Sequence, residues 1–93
     1  MTSFEFDPEK SRINHEKHGI DFIAAQHIFD DEGLAIIDGT SKTEARYMAI
    51  GRFNGKLWTV VFTWRNVKIR LISARRARKS EVWAYEENNR RRI

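Results

Sequence analysis

The sequence predicts an α+β domain with helices at both ends of a run of antiparallel strands, and three observations carry that prediction. Apolar residues fall at helical spacing before the acidic Asp30-Asp31-Glu32-Gly33 break, run as β-rich segments from Leu34 to Ser73, and return to helical composition after Arg78. Asn54-Gly55 separates two of the β segments, the strongest short hairpin signal because both residues tolerate positive φ. The connections between the predicted strands are too short for crossover helices, so neighbouring strands form an antiparallel meander. The predicted order is βααββββα, a compact α+β arrangement rather than a parallel doubly wound sheet.

Phe4-Glu5-Phe6 alternates as a short strand. Asp7-Pro8-Glu9 opens a helix: Asp7 caps free N–H groups, Pro8 fits the first helical position, and Glu9 complements the positive end of the dipole. That helix runs to about His18 and stops at Gly19, which takes a left-handed conformation at little cost. Asp21 caps a second helix whose stripe of Phe22, Ala25 and Phe29, with Ile28 beside it, turns inward until the acidic break. Strands follow at Leu34 to Ile37, Arg46 to Phe53, Lys56 to Trp64 and Val67 to Ser73, the last two joined across Arg65-Asn66. Arg78 to about Arg90 is the closing helix, with Val82 and Tyr85 on one side and Glu81 one turn before Tyr85.

Residues 1–93, with one proline and no repeat or glycine-rich linker, read as a single domain. Its size suits a shallow surface groove better than an enclosed chamber. The absence of cysteine excludes disulfides and thiolate metal sites. No segment approaches the roughly 20 apolar residues of a membrane helix, and MTSFEFDPEK lacks the order of a secretory signal, so the expected location is cytoplasmic. Charge is distributed unevenly. Met1 to Trp64 hold 7 Lys/Arg against 10 Asp/Glu, a net −3, whereas Arg65 to Ile93 hold 10 against 3, a net +7. Such a gradient fits a face that meets a polyanion, while a solvated basic helix end is the plainer explanation.

Four signatures follow one another in order: Phe6-Asp7 with Lys10 and Asn14; Lys17-His18-Gly19-Ile20 with Phe22; Gly51-Arg52 ahead of Val61-Phe62-Thr63 and Arg65; and Ile72-Ser73-Ala74-Arg75 with Ala77, Glu81 and Tyr85. Taken together they resemble the BrnT family of type II toxins, whose fold is related to RelE-type ribonucleases. The resemblance covers Phe6 to Tyr85. It implies a toxin domain that is an endoribonuclease, needs no cofactor, and is neutralised by a cognate BrnA-like ribbon-helix-helix antitoxin in a hetero-oligomer. Operator DNA would be bound only through that antitoxin. Carried over by position, the toxicity residues fall on Arg65, Arg75 and Arg76, with Glu81 and Tyr85 added.

RNA cleavage through the substrate's own 2′-hydroxyl requires removal of that proton, stabilisation of a charged phosphorane-like transition state, and protonation of the leaving oxygen. Arginine suits the second task because its planar fork presents two permanently charged donors to phosphate. Arg75 and Arg76 point to opposite faces if their strand continues. Each has an ion pair with Glu81 as its structural alternative. Glu81 itself is either general base or orienter of Arg75, and Tyr85 either contacts RNA or packs in the core. Lys68, Arg70 and Arg78 are candidate RNA-binding cations; Lys68 and Arg70 share a strand face opposite Val67, Ile69 and Leu71.

His15, His18 and His27 complete no zinc-like spacing, and no metal site is expected; His18 suits a helix C-terminus and His27 a partly buried position. Trp58 and Trp64 share strand parity with Val60 and Phe62, which favours core packing. Trp83 lies off the Val82/Tyr85 stripe, free for an antitoxin or RNA. The rival function is a non-catalytic basic module that holds RNA or assists on DNA, because an arginine cluster binds phosphate as readily as it cleaves.

Overall fold

The computed structural model describes residues 3–91. Its elements are β1 (Ser3–Glu5), α1 (Pro8–His18), α2 (Phe22–Ala25) with a 3-10 continuation (Gln26–Asp30), β2 (Ala35–Asp38), β3 (Tyr47–Phe53), β4 (Lys56–Arg65), β5 (Lys68–Arg76) and α3 (Lys79–Arg90). The α1 ends follow the expected chemistry. Asp7 accepts the Glu9 N–H at 2.9 Å, Pro8 occupies the first turn, and Gly19 at φ 77° returns its N–H to the His15 carbonyl.

The five strands form one sheet in the order β1-β5-β4-β3-β2. The antiparallel expectation holds from β2 to β5 but not at β1, which lies parallel to β5 with Ser3 opposite Lys68. Two helices and three strands separate β1 from β5, a connection long enough for parallel pairing; the short connections that predicted the meander say nothing about that edge. The second helix is also tighter than expected. Phe22, Ala25 and Ile28 are its buried positions, a spacing of three that matches the 3-10 period, while Phe29 is only partly buried.

The hairpin at Asn54-Gly55 forms as predicted, with φ 53° and 74° at the turn. The turn between β4 and β5 is shifted by one residue. Arg65 pairs with Lys68, so Asn66 and Val67 form the turn; Asn66 takes φ 59°, which asparagine tolerates, and Val67 projects into solvent. Farther along, Val61 pairs with Ser73 but Phe62 pairs with Leu71, leaving Ile72 as an extra residue on β5. This bulge reverses the side-chain alternation. Ile69, Leu71 and then Ala74 enter the same core, whereas Arg75, which strict alternation from Leu71 would turn toward that core, meets α3 on the other side.

Two apolar layers result. Phe22, Ile28, Val60 and Phe62 lead the larger one, between one sheet face and the helical segments before β2. Tyr85, Ile50 and Ala35 form the smaller one under α3, which packs on β2 and β3. The same face continues past α3 to Met48 and Val61, where it opens as a cleft.

Helix α1 is attached by polar groups rather than an apolar stripe, its buried residues being Ser11 and Asn14. Ser11 Oγ accepts the Phe22 N–H at 2.8 Å. Asn14 donates to the Ile20 and Ala74 carbonyls at 2.8 Å each and accepts the Ala74 N–H at 3.2 Å, so its amide stands in for a neighbouring strand just past the bulge. Asn14→Ala leaves both Ala74 backbone groups without these bonds and is expected to cost about 2 kcal/mol in urea-induced unfolding. An unchanged midpoint and slope would show that Ala74 finds other partners.

Candidate active site

The site is organised by the first turn of α3. Glu81 is 4% exposed, and its Oε1 accepts the Arg78 backbone N–H, the Thr59 hydroxyl and Arg75 Nη1, each at 2.8 Å. Its Oε2 takes Arg75 Nη2 at 2.9 Å, which completes a two-pronged ion pair. The bond to Arg78 N satisfies a free helix-terminal donor, so the residue that holds Arg75 also starts α3. Arg75's hydrogen bonds hold the Glu81 carboxyl at about 2 against the opposing effect of burial, with the Arg78 amide and Thr59 hydroxyl adding to the drop. Of the two roles open to Glu81 from the sequence, this geometry favours orienter of Arg75: a carboxylate so occupied has little affinity for another proton.

Arg75 and Glu81 line an open cleft of about 430 Å³ with Arg46, Arg78, Ser80, Thr40, Met48 and Val61. Glu81 is the acidic residue of that lining. A second cleft adjoins it through Arg46 and contains Arg65, Arg70, Lys10 and Thr63 together with the acids Asp7 and Glu44. Arg70 is partly committed there, donating to Glu5 Oε2 at 2.9 Å across the β1–β5 pair. Of the sequence-derived candidates, Arg75, Arg78 and Glu81 therefore meet in one cleft, and Arg65 and Arg70 in its neighbour.

Three candidates lie elsewhere. Arg76 leaves β5 on the opposite face from Arg75 and places its guanidinium 5.7 Å from the centre of the Trp58 ring. Lys68 is exposed beside the β4–β5 turn. Tyr85, despite following Glu81 by one helical turn, donates its hydroxyl to Asp31 Oδ2 at 2.7 Å. Asp31 also accepts the backbone N–H groups of Arg52 and Gly33, which hold its pKa low although burial opposes them. Burial and then Asp31 push the Tyr85 phenol above its ordinary value. These contacts fasten α3 to the segment before β2.

Other positions also depart from expectation. His27 is exposed in the 3-10 segment, 3.2 Å from Asp30 and stacked on Phe53, instead of partly buried. Trp58 is buried as parity predicts, but Trp64, next to last in β4 before the β4–β5 turn, is 52% exposed. Among residues that sequence reasoning passed over, Thr59 carried a signal: a hydroxyl in the apolar run Leu57 to Phe62 needs a buried partner. Arg46 carried none, since only the fold brings its loop against β4 and β5.

The fold and site define a small α+β domain with an arginine-lined sheet face anchored at a helix start. The family model of the BrnT ribonuclease toxin of type II toxin-antitoxin systems matches residues 6–81, and the chain belongs to that family. Among curated proteins, none matches the chain. Membership implies an antitoxin partner. No helix among the described residues is long and apolar enough to cross a membrane.

Proposed function

We propose that this chain is a RelE-like, metal-independent endoribonuclease that promotes attack of the RNA 2′-hydroxyl on the adjacent phosphodiester. The observation that carries this reading is Arg75 locked to buried Glu81 at the mouth of a cleft shared with Arg46 and Arg78. Glu81 engages two of the five guanidinium N–H donors and the Arg76 carbonyl accepts a long bond from Nη1 at 3.4 Å, which still leaves charged donors for a phosphate oxygen. A fixed guanidinium stabilises developing charge without reorganising during the reaction. Arg65 and Arg70 extend the cationic surface, and Arg78 contributes at its entrance. Purified protein incubated with RNA in EDTA should release fragments ending in 2′,3′-cyclic phosphate. Intact RNA under conditions of demonstrable binding would instead establish the second reading, a non-catalytic basic module, which is favoured by the full occupation of the cleft's acid, Glu81.

Tyr85 belongs to the scaffold in this proposal. Tyr85→Phe is expected to lower stability by about 1–2 kcal/mol through loss of the bond to Asp31, while cleavage at saturating RNA stays within about threefold of wild type. A loss of cleavage without a loss of stability would return Tyr85 to the reaction.

The proposed partner is a BrnA-like ribbon-helix-helix antitoxin, with operator DNA engaged through it in a hetero-oligomer. Trp83, 65% exposed, and Ile36, 54% exposed, border a groove between α3 and edge strand β2, apolar surface that such a contact would cover.

A further inference from the structure

We propose that Arg46 is a phosphate-binding residue that joins the two clefts into one track for a single RNA strand. The inference rests on the ribonuclease reading and specifies how its substrate lies. Arg46 stands immediately before β3 and lines both clefts, with Arg75 and Arg78 on one side and Arg65, Arg70 and Lys10 on the other. Its Nε is buried yet has no hydrogen-bond partner, alone in this among the buried side-chain nitrogens and oxygens of the described residues. Glu44 forms a long ion pair with it, 3.9 Å from that nitrogen and beyond hydrogen-bonding distance, with 43% of its side chain exposed.

A buried donor left unsatisfied is costly, and a charged one more so; the Arg46 side chain is 36% exposed, and a small turn of its guanidinium would present Nε to an acceptor entering the cleft. The acceptor is anionic in this proposal, because the two linings together hold six cations, Lys10, Arg46, Arg65, Arg70, Arg75 and Arg78, against three acids, Asp7, Glu44 and Glu81, and the excess leaves a positive local potential. It must also repeat along a chain. One small anion would fill either cleft, whereas a strand bearing successive phosphates meets Arg75, Arg46 and then Arg70 or Arg65 along the sheet face. Register supports that line: Met48 and Val61 lie opposite each other beneath the first cleft, and Thr63 pairs with Arg70 in the second. Arg46 thereby positions the strand across the boundary, leaving Arg75 to act on the phosphate in the first cleft.

The test uses a fully 2′-O-methylated RNA octamer, which cannot undergo 2′-hydroxyl attack, with binding followed by fluorescence anisotropy over a range of salt. For a single strand, each phosphate contact contributes about 0.7 to the slope of log affinity against log salt. Arg46→Gln keeps most of the side-chain stem and removes the charge; it should weaken binding roughly tenfold and reduce the slope by about 0.7. Lys56→Gln, at the far hairpin outside both clefts, should change neither quantity. Glu44→Gln removes the competing acid and should tighten binding about two- to threefold, a readout that survives if Arg46→Gln fails to fold. Wild-type affinity and slope in folded Arg46→Gln, equal losses in Lys56→Gln, or unchanged binding in Glu44→Gln would overturn the role of Arg46. Failure of the wild-type protein to bind the octamer and to cleave unmodified RNA would overturn the ribonuclease reading itself.

Discussion

Arg75→Ala should cleave RNA at least about 100-fold more slowly than wild type under single-turnover conditions at saturating RNA, the loss expected when a preorganised donor to a developing anion is removed. Two effects have to be separated. Arg75 is the residue that contributes most to holding the Glu81 carboxyl ionised, so its removal also leaves a buried carboxylate with only the Arg78 amide and the Thr59 hydroxyl. Breaking a buried pair by deleting one member is destabilising. Circular dichroism and urea titration of the variant therefore accompany the kinetics, with cleavage compared at temperatures where both proteins are folded. Arg75→Lys refines the result: it retains a charge but loses the planar fork, and cleavage is expected to remain at least about tenfold below wild type. A folded Arg75→Ala that cuts at the wild-type rate would remove Arg75 from the mechanism.

The placement of Arg75 shows what the sequence made legible and what it did not. Local chemistry was readable: Asp7, Pro8 and Gly19 mark the ends of α1, and Asn54-Gly55 sets a hairpin, because each acts through its own backbone preference. Alternation also predicted that Arg75 and Arg76 would separate, and they do, one to Glu81 and the other over Trp58. Which arginine faces which side was not readable. That is decided by the extra residue at Ile72, and a bulge within a run of β-formers leaves no local signature. The parallel β1–β5 edge and the joining of the clefts at Arg46 were hidden for a related reason, since both depend on contacts between segments distant in sequence. Tyr85 illustrates the converse. Helical spacing correctly put it one turn beyond Glu81, yet Asp31, far away in the chain, captures its hydroxyl.

Glu81 supplies the other large expected effect, one of stability. Its carboxyl is lowered from 4.5 to about 2, and a depressed carboxyl stabilises the fold above its unfolded pKa, with that contribution lost as pH falls through the folded value. The shift corresponds to about 3 kcal/mol, present in full above about pH 5 and disappearing between about pH 4.5 and 2. Glu81→Gln should therefore be less stable than wild type by about 3 kcal/mol at pH 7, and the two urea-unfolding curves should converge as the pH approaches about 2. Taking the difference between the proteins cancels the titration of carboxyls that both retain, Asp31 among them. A gap independent of pH would mean that shape or hydrogen bonding, not the charge of Glu81, provides the stability. The same pair makes a kinetic prediction. Glu81 lies well below neutrality, and its contact raises Arg75 above its already high value, so neither changes protonation between about pH 5 and 8. Across that range the pair should add no inflection to the wild-type cleavage profile; a bell centred there would require a proton donor or acceptor other than these two residues.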